Sequence, residues 1–298
     1  MLEQLSSCLT GDLRCHEPLS AHTTFRIGGP ADAFYVPQGV AELKKAVALA
    51  MSLGIPVTIM GQGSNLLVQD GGIRGLVIKL AGTLDWVEIH GTEVLAGCGV
   101  LLSTLAHRAA EASLTGLEFA AGIPGTLGGA VSMNAGAYDG EMKDVVKSVL
   151  VLTTEGQEEL LTLEELAFAY RQSVLQTKKL IALETRLELK MGSRELIYAK
   201  IEDLNRRRRE KQPLTLPSAG SVFKRPPGHF AGTLIEQAGL KGHRIGGAEV
   251  STLHAGFIVN VGQATAKDVK ALIGHIQLVV KEKFGVDLEP EIRIIGEE

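Results

Sequence analysis

The sequence, 298 residues long, predicts an α+β fold. Three observations carry that assignment. Short segments rich in β-branched residues recur through the first part of the chain without sustained βαβ regularity, which argues against a doubly wound sheet. Residues 116–140 gather Gly116, Gly122, Gly125, Gly128, Gly129, Gly136 and Gly140 among small apolar residues. Past Gly192 the texture changes to long amphipathic helices alternating with short strands.

The residues up to about Ser20 show little periodicity. His22–Pro37 reads as a Gly-Pro turn running into a strand that ends at Pro37. Val40, Leu43, Val47, Ala50 and Leu53 recur at helical spacing, and Gly54 supplies the stop. Ile55–Met60 is a β-branched strand leading straight into Gly61-Gln-Gly-Ser-Asn65. A Gly-x-Gly after a strand suggests a Rossmann turn, in which the loop opens a helix. Here Leu66–Lys79 reads as strand, Asp-Gly turn and strand, and the third glycine of that fingerprint is missing. What remains is a nest of backbone N–H groups with Ser64 and Asn65 as further donors, which suits a pyrophosphate. The alternative is a hairpin with a glycine bulge.

Strands at Trp86–Ile89 and Glu93–Ala96 lead to Gly97-Cys-Gly99 and a helix over Leu101–Ala112. The glycine-rich run follows. A flexible linker would be polar, whereas this run carries Phe119, Ile123, Leu127, Val131 and Met133. Glycine costs backbone entropy on folding, so such density calls for close approach to a flat or anionic ligand, or for tight packing. Val145–Thr153 and Leu180–Leu189 are further strands. Between them, Thr162-Leu-Glu-Glu165 has the form of a capping box opening a short helix that ends near Tyr170-Arg171.

Ser193 is placed to cap a long helix with Ile197, Ile201 and Leu204 on one face, ending at Gln212-Pro213. Its Arg206–Arg209 run reads as a solvated face that complements the helix dipole, flanked by Glu202, Asp203 and Glu210. Leu214–Gly228 is a second small-residue loop, with hydroxyls and the cations Lys224 and Arg225. A helix over Ala231–Ala238 stops at Gly239. Lys241–Ser251 and Phe257–Val261 alternate like strands, Thr265–Phe284 is an amphipathic helix ended by Gly285, and Leu288–Ile295 closes as a strand.

Composition narrows the function. Hydrophobic residues make up 45% and charged residues 21%, the balance of a soluble globular protein. A net charge of −4 recommends neither nucleic acid nor an anionic membrane as a partner. No apolar run approaches the ~20 residues of a membrane helix. The N-terminal residues lack the basic start and apolar core of a signal peptide. Cys8, Cys15 and Cys98 are an odd number at no metal-like spacing, as expected of reduced thiols in a cytoplasm. The histidines form no His-Glu-x-x-His pair, so no metal site is expected. A monomer is expected.

Three residues stand out as candidates for chemistry. Ser221 lies between Gly220 and Val222 with Lys224 and Arg225 nearby, Arg171 follows an aromatic residue, and Glu291 sits in a largely apolar final strand. Ala219-Gly-Ser-Val-Phe223 is no Gly-x-Ser-x-Gly elbow, so a nucleophilic serine is not indicated. A hydroxyl beside cations can instead donate a proton to a carbanion.

Seven motifs occur in order: Thr23-Thr-Phe-Arg-Ile-Gly-Gly29, Gly61-Gln-Gly-Ser-Asn65, Gly122-Ile-Pro-Gly-Thr-Leu-Gly-Gly-Ala130, Asn134-Ala-Gly-Ala-Tyr138, Tyr170-Arg171, Gly220-Ser-Val-Phe-Lys224 and Glu289-Pro-Glu-Ile-Arg293. As a set, running from about residue 20 to 296, they resemble the UDP-N-acetylenolpyruvoylglucosamine reductase family, flavoenzymes of peptidoglycan precursor synthesis. The resemblance implies a PCMH-type, vanillyl-alcohol-oxidase-like FAD-binding region over 20–191, in subdomains of about 20–78 and 79–191. An α+β substrate-binding domain over 192–298 would follow, its last strand returning to the FAD region.

By the same resemblance, Gly61, Gln62, Gly63, Ser64, Asn65 and Leu66 would hold the FAD pyrophosphate. Gly122, Ile123, Pro124, Gly125, Gly128, Gly129, Ala130, Asn134 and Gly136 would complete the cofactor site and flank the flavin. NADPH would reduce the flavin and leave. The enolpyruvyl ether of UDP-N-acetylglucosamine would then accept hydride, Ser221 would supply the proton, and Arg171 and Glu291 would stabilise charge at the substrate carboxyl group. Tyr170, Lys224 and Arg225 would bind substrate.

Three departures from the family pattern are visible. Arg225 stands where many relatives carry asparagine, and His22 replaces an asparagine. The short Arg171–Leu189 interval lacks the aromatic loop of one subgroup, so the chain resembles the shorter subgroup. An FAD-dependent oxidase on the same scaffold, with flavin tethered through Cys98 or a histidine, and a non-enzymatic flavin-binding module are the alternatives. Untethered flavin is expected.

Overall fold

In strand Ile181–Glu188 the side chains of Leu183, Thr185 and Leu187 are buried while Arg186 and Glu188 are exposed. That period of two turns one face of a strand toward a core. In the computed structural model, which describes residues 2–298, this strand lies at the centre of an antiparallel five-stranded sheet. The spatial order is Glu158–Thr162, Val146–Leu152, Ile181–Glu188, Glu93–Gly97, Val87–His90.

The chain divides into two units, each discontinuous in sequence. The first comprises the segment up to Cys15, Ala33–Gln62 and Gly75–Arg208; the second comprises His16–Asp32, Gly63–Arg74 and Arg209–Glu298.

In the first unit, helix Leu102–Glu111 buries Leu105, Ala106, Ala109 and Ala110 in one core with Val94, Val149 and Leu187 of the five-stranded sheet. A second core lies under helix Val40–Ser52, whose Leu43, Ala46, Val47 and Ala50 meet Leu76 and Ile78. Strands Val57–Met60 and Ile73–Lys79 pair in parallel there, in a sheet ordered Asp12–Pro18, Pro30–Val36, Ile73–Lys79, Val57–Met60. Parallel strands need a crossover, and residues 61–72 supply it between this pair.

The second unit is a three-stranded antiparallel sheet, Arg244–Ile245, Ala248–Val250 and Ile258–Asn260, with helices Ala231–Gln237 and Ala266–Phe284. Val269, Leu272 and Ile276 of the long helix share a core with Leu234, Ile235, Val250 and Ile258. Thr265 and Asp268 form a capping box at its start, and Gly285 ends it in the left-handed conformation (φ 71). Asp70 adds a further cap, its carboxylate accepting from the backbone N–H of Ala266 at 2.8 Å and of Lys267 at 3.0 Å.

The structure differs from the sequence-based expectations at several points. Leu66–Val68 and Ile73–Lys79 are strands but not a hairpin. Leu66–Val68 pairs in parallel with Arg293–Ile295, and the turn between is held by Gly71 N–H donating to Glu297 O at 2.9 Å. The Thr162–Glu165 box makes its hydrogen bonds, yet no helix follows, because Ala167 takes φ 47 after one turn. The short helix of that region is Val174–Thr177 instead. The opening residues form helix Leu2–Cys8 and strand Asp12–Pro18, and a short helix, Leu127–Ser132, interrupts the glycine-rich run. Of Leu288–Ile295, only Arg293–Ile295 is strand.

The linear division at residue 192 also differs from the observed units. Helix Arg194–Lys211 sends Ile197 and Ile201 into the core of the first unit, so its residues up to Arg208 belong there.

Candidate active site

In the second unit Gly220 adopts φ 80, a conformation open to glycine at little cost. The chain then runs as an extended segment with backbone partners on both sides. Val222 N–H donates to Gly256 O at 2.9 Å, and Val222 O accepts from Glu291 N–H at 2.7 Å. Lys224 N–H donates to Glu289 O at 2.8 Å, and Phe223 bridges Pro290. Val222 and Phe223 are buried, so they anchor the segment while Ser221 stays exposed. Ser221 and Glu291 are therefore carried on adjacent, hydrogen-bonded stretches.

Asn65 joins them. Its side-chain amide donates to Glu291 O at 3.3 Å, and its backbone O accepts from Arg293 N–H at 2.9 Å. Gly63 has φ 69, and its carbonyl accepts from Thr24 N–H at 3.3 Å. The Thr24 hydroxyl in turn donates to Ser218 O at 2.7 Å. The threonine motif near the N-terminus thus ties the Gly63–Leu66 loop to the approach of Ser221, a role its sequence did not reveal.

The two cations expected to meet substrate already have partners. Lys224 Nζ pairs with Glu289, and the Arg225 guanidinium lies 3.9 Å from the centroid of the Phe230 ring.

In the first unit the glycine-rich loop is clamped by its surroundings. Gly61 lies against Thr126, so close that a Cβ would sit 2.3 Å from the Thr126 hydroxyl. Thr126 caps helix Leu127–Ser132 by accepting from Gly129 N–H at 3.4 Å. Gly128 N–H donates to Cys98 O at 2.9 Å, and Gly125 has φ 154. From Phe119 to Tyr138 the run carries no charged side chain, and Ile123, Pro124, Gly125 and Gly129 are half-buried or exposed. An uncharged, partly open backbone surface fits an isoalloxazine ring, and the Gly61–Leu66 donors fit a pyrophosphate.

Arg208 corrects the solvated-face reading of Arg206–Arg209. Arg206 and Arg207 do pair with Asp203 on the helix surface. Arg208 turns inward instead, donating to Gly122 O and hydrogen-bonding Tyr138, and burial lowers its pKa. Tyr138 donates to Leu204 O at 3.0 Å. The compensation for burying this charge is hydrogen bonding to the loop itself.

Arg171 has φ 57, unusual for a side chain of its size. One Nη donates to Gly136 O at 3.1 Å, its guanidinium lies 4.9 Å from the Tyr170 ring centroid, and its carbonyl accepts from the Gln176 side chain at 3.3 Å. Asn134 is fully buried, and its side chain bonds within the protein, to Glu141 at 3.0 Å, Ala169 O at 3.1 Å and Lys143 N–H at 2.9 Å. Its amide is a strut of this loop.

Cys98 is buried against Thr185, and burial pushes its thiol up to about 12. A thiol that holds its proton this firmly is a poor covalent tether. Among the described residues no group of three or more histidine, cysteine, aspartate or glutamate side chains could hold a metal ion, and no helix is long and apolar enough to cross a membrane.

Comparison with known proteins bears on the whole chain. Residues 212–295 match the family described as UDP-N-acetylenolpyruvoylglucosamine reductase, C-terminal domain, and residues 31–161 match an FAD binding domain. The UDP-N-acetylenolpyruvoylglucosamine reductase of Caldanaerobacter subterraneus is 54% identical over 287 residues, 96% of this chain and 95% of the relative. That of Alkaliphilus metalliredigens is 54% identical over 94% of this chain and 92% of the relative. The crystal structure of the Thermus caldophilus reductase superposes with a TM-score of 0.82 at 39% identity, covering 96% of this chain and 99% of that one. Phl p 4.0202, a glucose dehydrogenase, shares the fold alone, with a TM-score of 0.51 and 14% identity over 76% of this chain and 53% of its own. On the strength of overlap that is nearly complete from end to end, this chain belongs to the UDP-N-acetylenolpyruvoylglucosamine reductase family.

Proposed function

We propose that the chain catalyses the NADPH-dependent reduction of the enolpyruvyl ether of UDP-N-acetylglucosamine to UDP-N-acetylmuramate, in peptidoglycan precursor synthesis. FAD, when bound, supplies the hydride chemistry. The observation that carries the reading is the backbone pairing of the Ser221 and Glu291 segments, with Asn65 joining them to the Gly63–Leu66 loop.

Each residue then has a task. The loop Gly61–Leu66 holds the cofactor pyrophosphate through backbone N–H groups and Ser64. Gly122–Gly125 and Gly128–Ala130 flank the ring, and Gly136 serves indirectly through its carbonyl on Arg171. Hydride arriving at the methylene carbon of the ether drives negative charge toward the neighbouring carboxyl group. Arg171 and Glu291 hold that group where charge develops, and Ser221 delivers its hydroxyl proton to the carbon that bears it. Tyr170, Lys224 and Arg225 bind the remainder of the sugar nucleotide. We further propose that the protein works as a cytoplasmic monomer with flavin held non-covalently.

An anaerobic visible spectrum tests the reading. Addition of NADPH to the yellow protein should bleach it, and the enolpyruvyl ether should then restore the colour. Bleaching without recolouring would sink the substrate assignment. A colourless protein that FAD cannot reconstitute would overturn the reading of both glycine loops.

A further inference from the structure

The substrate of the proposed reaction is a nucleoside diphosphate sugar, and its diphosphate lies remote from the reacting bond. Binding energy from remote groups helps the reaction only if they are held in a fixed geometry. In the second unit, Lys224 and Arg225 follow Ser221 closely, and the two are held differently. Lys224 has its charge answered by Glu289, itself on the segment that leads into Glu291. Arg225 is exposed, and its guanidinium stacks at 3.9 Å on the ring of Phe230.

Phe230 is 59% exposed, a large apolar ring left in water at the mouth of helix Ala231–Gln237. The intervening Pro226, Pro227 and Gly228 (φ 74) make the turn that brings ring and guanidinium together. Stacking uses the face of a guanidinium, whereas recognition of a phosphate uses its edge, so the two do not compete. A flexible arginine would lose much side-chain entropy on meeting an anion, and one already laid on a ring loses less.

We propose that Phe230 is a positioning residue for the nucleotide end of the substrate: it holds Arg225 flat so that the guanidinium edge meets the diphosphate. This rests on the reading of Ser221–Arg225 as substrate-facing.

The test uses the FAD-loaded protein and UDP as the probe, with the dissociation constant measured by calorimetry for the wild type, Phe230→Leu, Phe230→Tyr, Arg225→Lys and the Phe230→Leu/Arg225→Lys double variant. Phe230→Leu and Arg225→Lys should each weaken UDP binding ~10-fold, the scale of a cation–π contact and of a lost planar contact. The double variant should be no weaker than the poorer single one, since both remove one clamp. Phe230→Tyr, which keeps the ring, should bind UDP as the wild type does.

Wild-type affinity in Phe230→Leu, or losses that multiply in the double variant, would overturn the proposal. Should Phe230→Leu lose its FAD and prove unfolded, Arg225→Lys decides alone, and wild-type affinity there overturns it equally. A wild-type protein that neither binds UDP nor recolours with the enolpyruvyl ether would instead bring down the functional reading beneath it.

Discussion

Arg171 in the first unit and Ser221 in the second are both presented by irregular backbone, but the irregularity falls on different residues. Arg171 carries it itself, at φ 57. Ser221 does not, because the positive φ falls on its neighbour Gly220 (φ 80), where an added Cβ would meet nothing within 4 Å. A left-handed conformation costs an ordinary residue ~1–2 kcal/mol and glycine little. The first unit therefore stores strain at the functional side chain and holds it with Gly136 O, the Tyr170 ring and Gln176. The second unit removes strain from Ser221 and anchors it by the buried flanking residues Val222 and Phe223. Substitutions at the two places should therefore separate stability from activity in opposite ways.

The largest effect belongs to Ser221. Ser221→Ala should lower turnover ~10²–10⁴-fold, the usual cost of losing a general acid. FAD binding and bleaching by NADPH should persist, because the hydroxyl is asked only for a proton. Stopped-flow spectra of the two half-reactions check this directly, and normal reoxidation by the enolpyruvyl ether would remove Ser221 from the mechanism.

Arg171→Asn sharpens the contrast. Asparagine tolerates the left-handed region, so the melting temperature should hold or rise although a hydrogen bond and a ring contact are lost. Reoxidation by substrate should still slow ~10²-fold. A melting temperature several degrees below that of the wild type would show that φ 57 is not a burden here. Gly220→Ala should do the reverse, lowering stability by ~1–2 kcal/mol through backbone strain alone, since the space is open. Gly220→Asn should recover most of that loss. If both variants melt alike, the glycine is there for some reason other than its φ.

Much of this architecture is legible in local sequence, and what is not legible is long-range. Val40–Ser52 and Ala266–Phe284 follow directly from spacing, with Gly54 and Gly285 as stops, because an amphipathic stripe and a cap are properties of neighbours. The capping box at Thr162 opens no helix for the complementary reason. Its hydrogen bonds form, but the turn at Ala167 is set by tertiary context, with Val174 N–H reaching back to Leu166 O. Nothing local announces that Leu66–Val68 pairs with Arg293–Ile295, or that Arg208 belongs to Gly122 and not to water. The candidate site reads as a set of motifs, whereas Gly256 and Gln176, which aim its members, have no motif of their own.

His254 offers the smallest and most specific break in the comparison, because it acts on the Ser221 side alone. Its Nδ1 accepts from Gly256 N–H at 3.1 Å, and Gly256 O is the acceptor for Val222 N–H. Burial holds the imidazole below its usual pKa of 6.5, so the ring is neutral in the fold. Between the lowered folded value and the ordinary unfolded one, the unfolded chain binds the extra proton. Stability from this ring is thus complete above about pH 6.5 and is lost as pH falls through the folded pKa, with a slope of at most ~1.4 kcal/mol per pH unit. His254→Asn keeps an oxygen acceptor where Nδ1 stands and removes the titration. The fall in melting temperature between pH 7.5 and pH 5.5 should shrink in that variant by a few degrees, with stability at pH 7.5 nearly unchanged. An identical pH slope in both proteins would detach His254 from the Gly256–Val222 anchor, leaving Gly220 and Glu291 to place Ser221 without it.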